Sequence, residues 1–338
     1  MPTLILALLF ATSAIPMMGL GDLRRAVPQS PCASGPSRQF DFWVGDWAVY
    51  NKFGVAVAEN DITVELDGCA VEEHYTFRGT HGRSLNAWDA ATGAWHQTWV
   101  TGAPPPAYPL RMSGGLRPDG VMAMSGVRHS WDAPDDPAAD WRDAYTWTAE
   151  PDASVVQAFT LDIDRFNVHS AGALTYLHTA PPPPVDAPPV AKCITGNSSD
   201  TRRLDFTLGN WSVQASNGLP LASTSIALDP ALSSCLLEET FVTPQGYRAT
   251  GWLYYDPVED RFFRTIADSE GGWLEVGGRF DATGALVLEG ARPVPGADDA
   301  RVRITWTAVS PNRQEQLWQI SRDGGQTWRD EQVLVLTR

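Results

Sequence analysis

Lysine, helix-forming runs and long hydrophobic segments are all scarce in this chain of 338 residues. Lys52 and Lys192 are its only lysines, and 40 Asp and Glu outnumber 25 Lys and Arg, so the formal net charge is −15. That balance argues against binding to nucleic acid or to anionic membrane surfaces. Beyond the first residues, no apolar run is long enough to predict a membrane span.

Recognisable catalytic and cofactor motifs are missing as well. The sequence has no Gly-x-Ser-x-Gly, no phosphate-binding glycine loop and no pair of histidines at metal-ligand spacing. Its four cysteines include no Cys-x-x-Cys, which argues against a zinc site. The sequence therefore predicts neither a metal nor a cofactor.

The beginning of the chain has the features of a targeting segment. Met1–Ala11 is apolar but too short to span a bilayer comfortably, and Thr12–Ala14 supplies small residues suited to cleavage. We predict a signal peptide and leader over residues 1–31, and hence a secreted or periplasmic protein. An apolar start with no targeting role is the alternative.

Two parts of the chain open with the same pattern. Phe40–Trp47 reads Phe-Asp-Phe-Trp-Val-Gly-Asp-Trp, and Leu204–Trp211 reads Leu-Asp-Phe-Thr-Leu-Gly-Asn-Trp. Cys-x-x-Glu-Glu and Thr-Trp-Thr-Ala recur further along, in the same order in both parts. Such ordered matches predict a tandem duplication with repeats over residues 32–179 and 193–338.

The segment between the repeats differs in composition from both. Residues 180–192 contain six prolines, which remove backbone donors and fix the backbone angle φ. We predict an extended, semi-rigid linker there.

The cysteines follow the repeats. Each repeat has one cysteine before its Gly-x-Trp segment and one just before its Glu-Glu pair. We therefore predict two disulfides, Cys32–Cys69 and Cys193–Cys235, in keeping with an oxidising compartment.

Short β-prone stretches alternate with turn residues throughout both repeats. About eight to ten antiparallel strands fit into each repeat, which is enough to close a β-barrel. A two-sheet sandwich is the alternative.

The motifs also carry a family resemblance. The opening pattern, followed by Cys69–His74, Gly82–Asn86 and Trp95–Trp99, resembles a bacterial family of uncharacterised secreted proteins. Gly-x-Trp in the first strand resembles the opening of lipocalin-like (calycin) barrels. The resemblance implies an all-β fold of two tandem lipocalin-like antiparallel β-barrels, each of about eight to ten strands, and no established reaction. A more distant likeness is to the haem-binding nitrobindin barrels.

The resemblance also implies roles for two tryptophans. In lipocalin-like barrels the Trp of Gly-x-Trp plugs the closed end, so Trp47 and Trp211 are expected to be structural plugs. Barrels of this kind usually hold small apolar ligands.

The histidines direct attention to repeat one, because all six lie there. Strand alternation places Trp95, Gln97 and Trp99 on one face of a strand and His96 on the other. It also places Glu72 and His74 on the same face of an earlier strand. The sequence leaves open which face is lumenal. We predict a site for a small apolar or aromatic ligand, mainly in repeat one. Its predicted residues are Glu72, His74, Trp88, Trp95, His96, Gln97 and Trp99.

Three alternatives stay open. The tryptophans could simply fill the barrel interior, with the histidines at its rim. Instead, His74 or His96 could act as general base or acid of an enzyme that uses a His/Glu cavity in repeat one. A single histidine could also ligate haem iron, as in a nitrobindin-like barrel. The sequence predicts no particular protein partner.

Overall fold

The computed structural model describes residues 30–77, 79–102, 108–178, 201–292 and 300–338. Within these ranges the chain forms two closed antiparallel barrels of ten strands each, which confirms the predicted all-β tandem fold. The linker over 180–192 and nearly all of the leader over 1–31 lie outside the described residues, and both stay predictions. The bridge Cys193–Cys235 also stays a prediction, because Cys193 lies outside them.

Barrel one is an up-and-down meander in which the first strand pairs with both the second and the last. Its strands are β1 (Gly45–Asn51), β2 (Ala56–Glu65), β3 (Ala70–Phe77), β4 (Thr80–Asp89), β5 (Ala94–Thr101), β6 (Leu110–Leu116), β7 (Met122–Arg128), β8 (Trp141–Ala149), β9 (Val155–Ile163) and β10 (Val168–Leu177).

Barrel two repeats this order and closes in the same way. Its strands are β11 (Gly209–Ala215), β12 (Pro220–Asp229), β13 (Ser233–Val242), β14 (Arg248–Asp256), β15 (Arg261–Asp268), β16 (Trp273–Phe280), β17 (Leu286–Ala291), β18 (Arg301–Ser310), β19 (Arg313–Ser321) and β20 (Arg329–Thr337). Short 3₁₀ turns occupy Gly35–Arg38, Asp41–Trp43, Leu66–Gly68, Pro137–Ala139, Asp164–Phe166 and Thr201–Thr207.

The Gly-x-Trp tryptophans are buried and make the same hydrogen bond in both barrels. Trp47 Nε1 donates to the carbonyl oxygen of Trp43 at 2.9 Å, and Trp211 Nε1 donates to that of Thr207 at 2.8 Å. Each indole therefore ties its first strand to the 3₁₀ turn before it. The glycine two residues earlier has φ of 142° in barrel one, a conformation that other residues rarely adopt.

The segment that leads into barrel one is held by a disulfide. Cys32 is bonded to Cys69, which stands directly before β3, and both residues are buried. This confirms the first of the two predicted bridges.

The two barrels pack against each other along the outer faces of β3–β5 and β13–β15. Leu85 from barrel one and Trp252 and Tyr254 from barrel two belong to one buried apolar cluster. Near its middle, the hydroxyl oxygens of Thr98 and Thr265 lie 3.0 Å apart. The strand registers make these two threonines equivalent, so the barrels face each other about an approximate two-fold axis.

In the part of the chain that the structure describes, no helix is long and apolar enough to cross a membrane.

Candidate functional site

Strand alternation divides the predicted site residues between two faces of barrel one. Trp88, Trp95, Gln97 and Trp99 point into the lumen, where Trp95 is part of the buried core and Trp88 and Trp99 pack against it. The remaining three, which are Glu72, His74 and His96, point outward to barrel two. The structure therefore does not bring the seven residues into one cavity.

The outward residues belong to the contact between the barrels. Arg83 forms ion pairs with Glu72 of its own barrel and with Asp229 and Glu238 of barrel two. The ring of His96 stacks on Trp273 of barrel two, with ring centroids 5.4 Å apart, and burial lowers the pKa of His96.

All six histidines are described, and none of them reaches the lumen. His74 and His96 face barrel two, His81 contacts Thr76 on the outer face, and His178 stacks over Trp47. The other two, His129 and His169, are exposed partners of aspartates. Neither a histidine acid–base group nor a histidine ligand for haem iron is therefore available inside barrel one.

The lumen of barrel one instead contains a buried carboxyl group, that of Glu73. Asn60 Nδ2 donates to Glu73 Oε1 at 2.8 Å, and Ser84 Oγ donates to Glu73 Oε2 at 2.6 Å. A second layer supports these donors, since Asn86 Nδ2 donates to Ser84 Oγ at 2.9 Å and Gln97 Nε2 donates to Asn86 Oδ1 at 2.7 Å. The carboxyl group is thus fixed by neutral side chains on β2, β4 and β5.

Burial dominates the electrostatics of Glu73, whose exposed fraction is 3%. Burial raises the pKa of its carboxyl group from 4.5 to about 7, and the hydrogen bonds from Ser84 and Asn60 offset only part of that rise. Among the described residues, no Lys, Arg or His forms an ion pair with it. The group is therefore divided between its neutral and charged forms near pH 7.

Further aromatic side chains lie in the lumen beside Glu73, on the side away from Trp95. Tyr75 packs edge-on against Trp99 with ring centroids 5.8 Å apart, and Tyr145 stacks on Phe159 at 5.5 Å. All four residues are half-buried. We call these four residues the aromatic rim.

Two lumenal glycines make room for the rim. A Cβ atom at Gly82 would collide with the indole of Trp99, and one at Gly172 would collide with the ring of Phe159. Each ring thus lies directly across the glycine backbone, and a side chain at either position would force the ring to move.

Besides burial, the charge of Glu73 contributes to the raised pKa of three tyrosines, which are Tyr75, Tyr145 and Tyr176. Burial is the main cause that raises the pKa of Tyr75 and Tyr176, and the charge of Glu73 is the next. For Tyr145, burial and Asp143 raise the pKa, with a smaller contribution from Glu73. These hydroxyls stay protonated. That of Tyr176 already donates to Gln157 Oε1 at 3.0 Å, so only those of Tyr75 and Tyr145 could donate to a ligand.

Barrel two has the equivalent acid but neutralises it internally. Glu239, equivalent to Glu73, accepts from Arg264 Nε at 3.1 Å and Nη2 at 2.6 Å. The strand registers place Arg264 at the position of Gln97, and Gly251 at that of Ser84. The lumenal tyrosines of barrel one are replaced by apolar residues, namely Phe241, Ile304 and Leu336.

Other features of the surface offer less chemistry. A cleft of about 200 Å³ lies between the barrels, but Ser130 Oγ already donates to Asp132 Oδ1 there at 2.6 Å. The cleft is lined by Tyr108, Ser130, Trp131, Asp132, Trp141, Phe166, Pro257 and Val258. Among the described residues, no group of three or more His, Cys, Asp or Glu could hold a metal ion.

Comparisons with known proteins add little to this picture. No family model and no curated protein matches the chain. A solved structure of a protein of unknown function from the DUF3598 family, from Nostoc punctiforme, is 11% identical, with a TM-score of 0.21 over 90% of this chain and 98% of that one. A candidate outer membrane protein from Bacteroides fragilis is 10% identical, with a TM-score of 0.18 over 82% of this chain and 100% of that one. TM-scores this low carry no argument about fold or function.

Proposed function

We propose that barrel one is a small-molecule binding module. Its ligand enters past the aromatic rim and reaches Glu73 at the base of the site. The observation that carries this proposal is the contrast between the two acids, because Glu239 is paired with an arginine whereas Glu73 is held only by neutral groups. Leaving a buried carboxyl group without a counter-charge is costly, and such groups concentrate at functional sites.

The lining of the lumen supports the same proposal. Ligand sites combine apolar and aromatic walls with a few convergent polar groups. Here the walls are the rings of the aromatic rim, and the polar groups are Glu73 and the hydroxyls of Tyr75 and Tyr145. Barrel two lacks these hydroxyls and supplies its own cation, so we assign it a structural role.

We also place the protein outside the cytoplasm. The buried disulfide Cys32–Cys69 supports this, because structural disulfides persist in oxidising compartments. Secretion through the predicted signal peptide accords with that compartment.

A neutral fluorescent probe tests whether the lumen accepts a ligand. N-phenyl-1-naphthylamine is flat and apolar, and its emission rises when it leaves water. We expect saturable binding of one probe per chain. Trp99→Ala should weaken binding by about tenfold, since one lost stacking contact is worth about 1.4 kcal/mol.

The matched control is Trp318→Ala, which truncates a half-buried lumenal indole of barrel two. It should leave probe affinity unchanged. If the probe does not bind, or if Trp318→Ala removes binding while Trp99→Ala does not, the assignment of the site to barrel one is wrong.

A further inference from the structure

In barrel two the lumenal acid, Glu239, binds a cation from its own chain. The guanidinium of Arg264 donates two hydrogen bonds to Glu239, and its central carbon lies 5.1 Å from the ring centroid of Trp306 and 5.8 Å from that of Trp318. A planar cation is thus held by one carboxylate and two aromatic faces, an arrangement that stabilises cations strongly when water is excluded.

Barrel one has the same carboxylate and two aromatic rings at the equivalent positions, but it has no arginine between them. Glu73 stands in place of Glu239, and Trp147 and Phe159 stand in place of Trp306 and Trp318. Two positions beside the acid differ in kind, because Gln97 occupies the place of Arg264 and Ser84, which donates to Glu73, occupies the place of Gly251.

We infer that the ligand of barrel one is a small planar organic cation, such as an amidinium or guanidinium compound with an apolar or aromatic body. Its charged end would sit against Glu73 as Arg264 sits against Glu239. Its body would lie among the rings of the aromatic rim. This inference rests on the proposed function, because it names the class of ligand for the same site.

The charges of neighbouring groups favour a cation over an anion. Arg128, at the end of β7, is committed elsewhere, since it donates to Asp143 at 3.1 and 2.6 Å and to the carbonyl oxygen of Pro109 at 2.9 Å. The acid at the base of the lumen therefore has no competing arginine among the described residues. An anionic ligand would place a second negative charge beside a buried acid, which is unfavourable.

An isosteric series of probes separates charge from shape. Benzamidinium, benzamide and benzoate share one planar skeleton and carry positive, zero and negative charge. Binding is measured by calorimetry on the full chain at about pH 8.5, where Glu73 is charged. We expect benzamidinium to bind at least about tenfold more tightly than benzamide, as one desolvated charge pair or cation–π contact predicts, and benzoate to bind more weakly still.

Two variants test whether the carboxylate causes this preference. Glu73→Gln removes the charge and keeps the shape, so it should bring benzamidinium affinity down to that of benzamide. The double variant Ser84→Gly with Gln97→Arg copies barrel two into barrel one, and its internal guanidinium should exclude benzamidinium. Glu73→Gln is expected to fold at least as well as the wild type, so the test does not depend on the double variant.

The outcomes distinguish this inference from the proposed function. Equal affinity for benzamidinium and benzamide, or a benzamidinium preference that survives in Glu73→Gln, overturns the cation assignment. If N-phenyl-1-naphthylamine binds but benzamidinium does not, the lumen is a ligand site for neutral compounds. If neither binds, both proposals are wrong.

Discussion

Replacing Glu73 by glutamine should stabilise this protein at alkaline pH, although most changes to buried residues destabilise proteins. Glutamine has nearly the same shape as glutamic acid, so its amide oxygen can accept from Asn60 and its amide nitrogen can donate to Ser84. The substitution therefore removes a buried charge and keeps both contacts, with the Ser84 hydroxyl accepting from the glutamine amide instead of donating to the carboxylate.

The magnitude follows from the pKa of Glu73. Each tenfold change in proton affinity is worth about 1.4 kcal/mol, so raising the pKa from 4.5 to about 7 costs the charged folded state about 3 kcal/mol. Because the folded-state pKa is raised, the stability contributed by the neutral acid is fully present below pH 4.5 and is lost as the pH rises through about 7.

Urea unfolding of both proteins measures the effect. At about pH 8.5, Glu73→Gln should exceed the wild type in free energy of unfolding by about 3 kcal/mol, and at about pH 5 by only about 1 kcal/mol. The stabilisation by Glu73→Gln should therefore grow as the pH rises, because Glu73 of the wild type then becomes charged.

Glu239→Gln in barrel two is the matched control, and it should lower the free energy of unfolding where Glu73→Gln raises it. It leaves the buried guanidinium of Arg264 without its partner and should cost about 3–5 kcal/mol. A destabilised Glu73→Gln variant at about pH 8.5, or a gain of the same size at both pH values, would refute the view that burial of an uncompensated charge governs this site.

Three further predictions concern the scaffold. Replacing both Cys32 and Cys69 by serine should lower the free energy of unfolding by about 2–4 kcal/mol in urea titrations without reductant, and an unchanged midpoint would contradict it. Trp47→Ala and Trp211→Ala should each cost about 3–5 kcal/mol, because each empties a buried aromatic site; calorimetry that finds a stable, well-packed variant would argue against a plug. Arg111→Met should destabilise by about 3–5 kcal/mol at neutral pH, since Arg111 lies 2.9 Å from Asp256 and 3.4 Å from Glu275. Arg111 also forms an ion pair with Glu259. The loss of stability in Arg111→Met should shrink on acidification, because burial raises the pKa of Glu259 and Glu275, and a loss that grows instead would refute that account.

The tandem barrels were predictable because their signals are local and occur twice. Turn residues separate β-prone stretches, and Gly-x-Trp at Trp47 and Trp211 marks the first strand of each repeat. Alternation also limited each Glu-Glu pair to one inward residue. It gave no means of choosing between Glu72 and Glu73, since that choice depends on which face of β3 meets barrel two.

The candidate site was harder to predict because histidine drew attention to the wrong face of the strands for a lumenal site. His74 and His96 alternate with lumenal residues, and their partners are groups of the neighbouring barrel. Glu73, Tyr75, Tyr145 and Tyr176 were not among the predicted residues. One sequence signal was present, since aligning the repeats through their Glu-Glu pairs sets Tyr75 opposite Phe241, and a gap of one residue after the pairs then sets Gln97 opposite Arg264.

The contact between the barrels shows what joining two copies in one chain permits. Thr98 and Thr265, which are equivalent, meet as they would in a symmetric dimer. Arg111 and Glu275 are also equivalent by strand register, and they form an ion pair at 3.4 Å. In two identical subunits those positions would carry the same residue and bring like charges together, which is unfavourable. A tandem chain allows opposite charges there, and it equally allows one lumen to pair its acid with Arg264 while the other leaves Glu73 uncompensated.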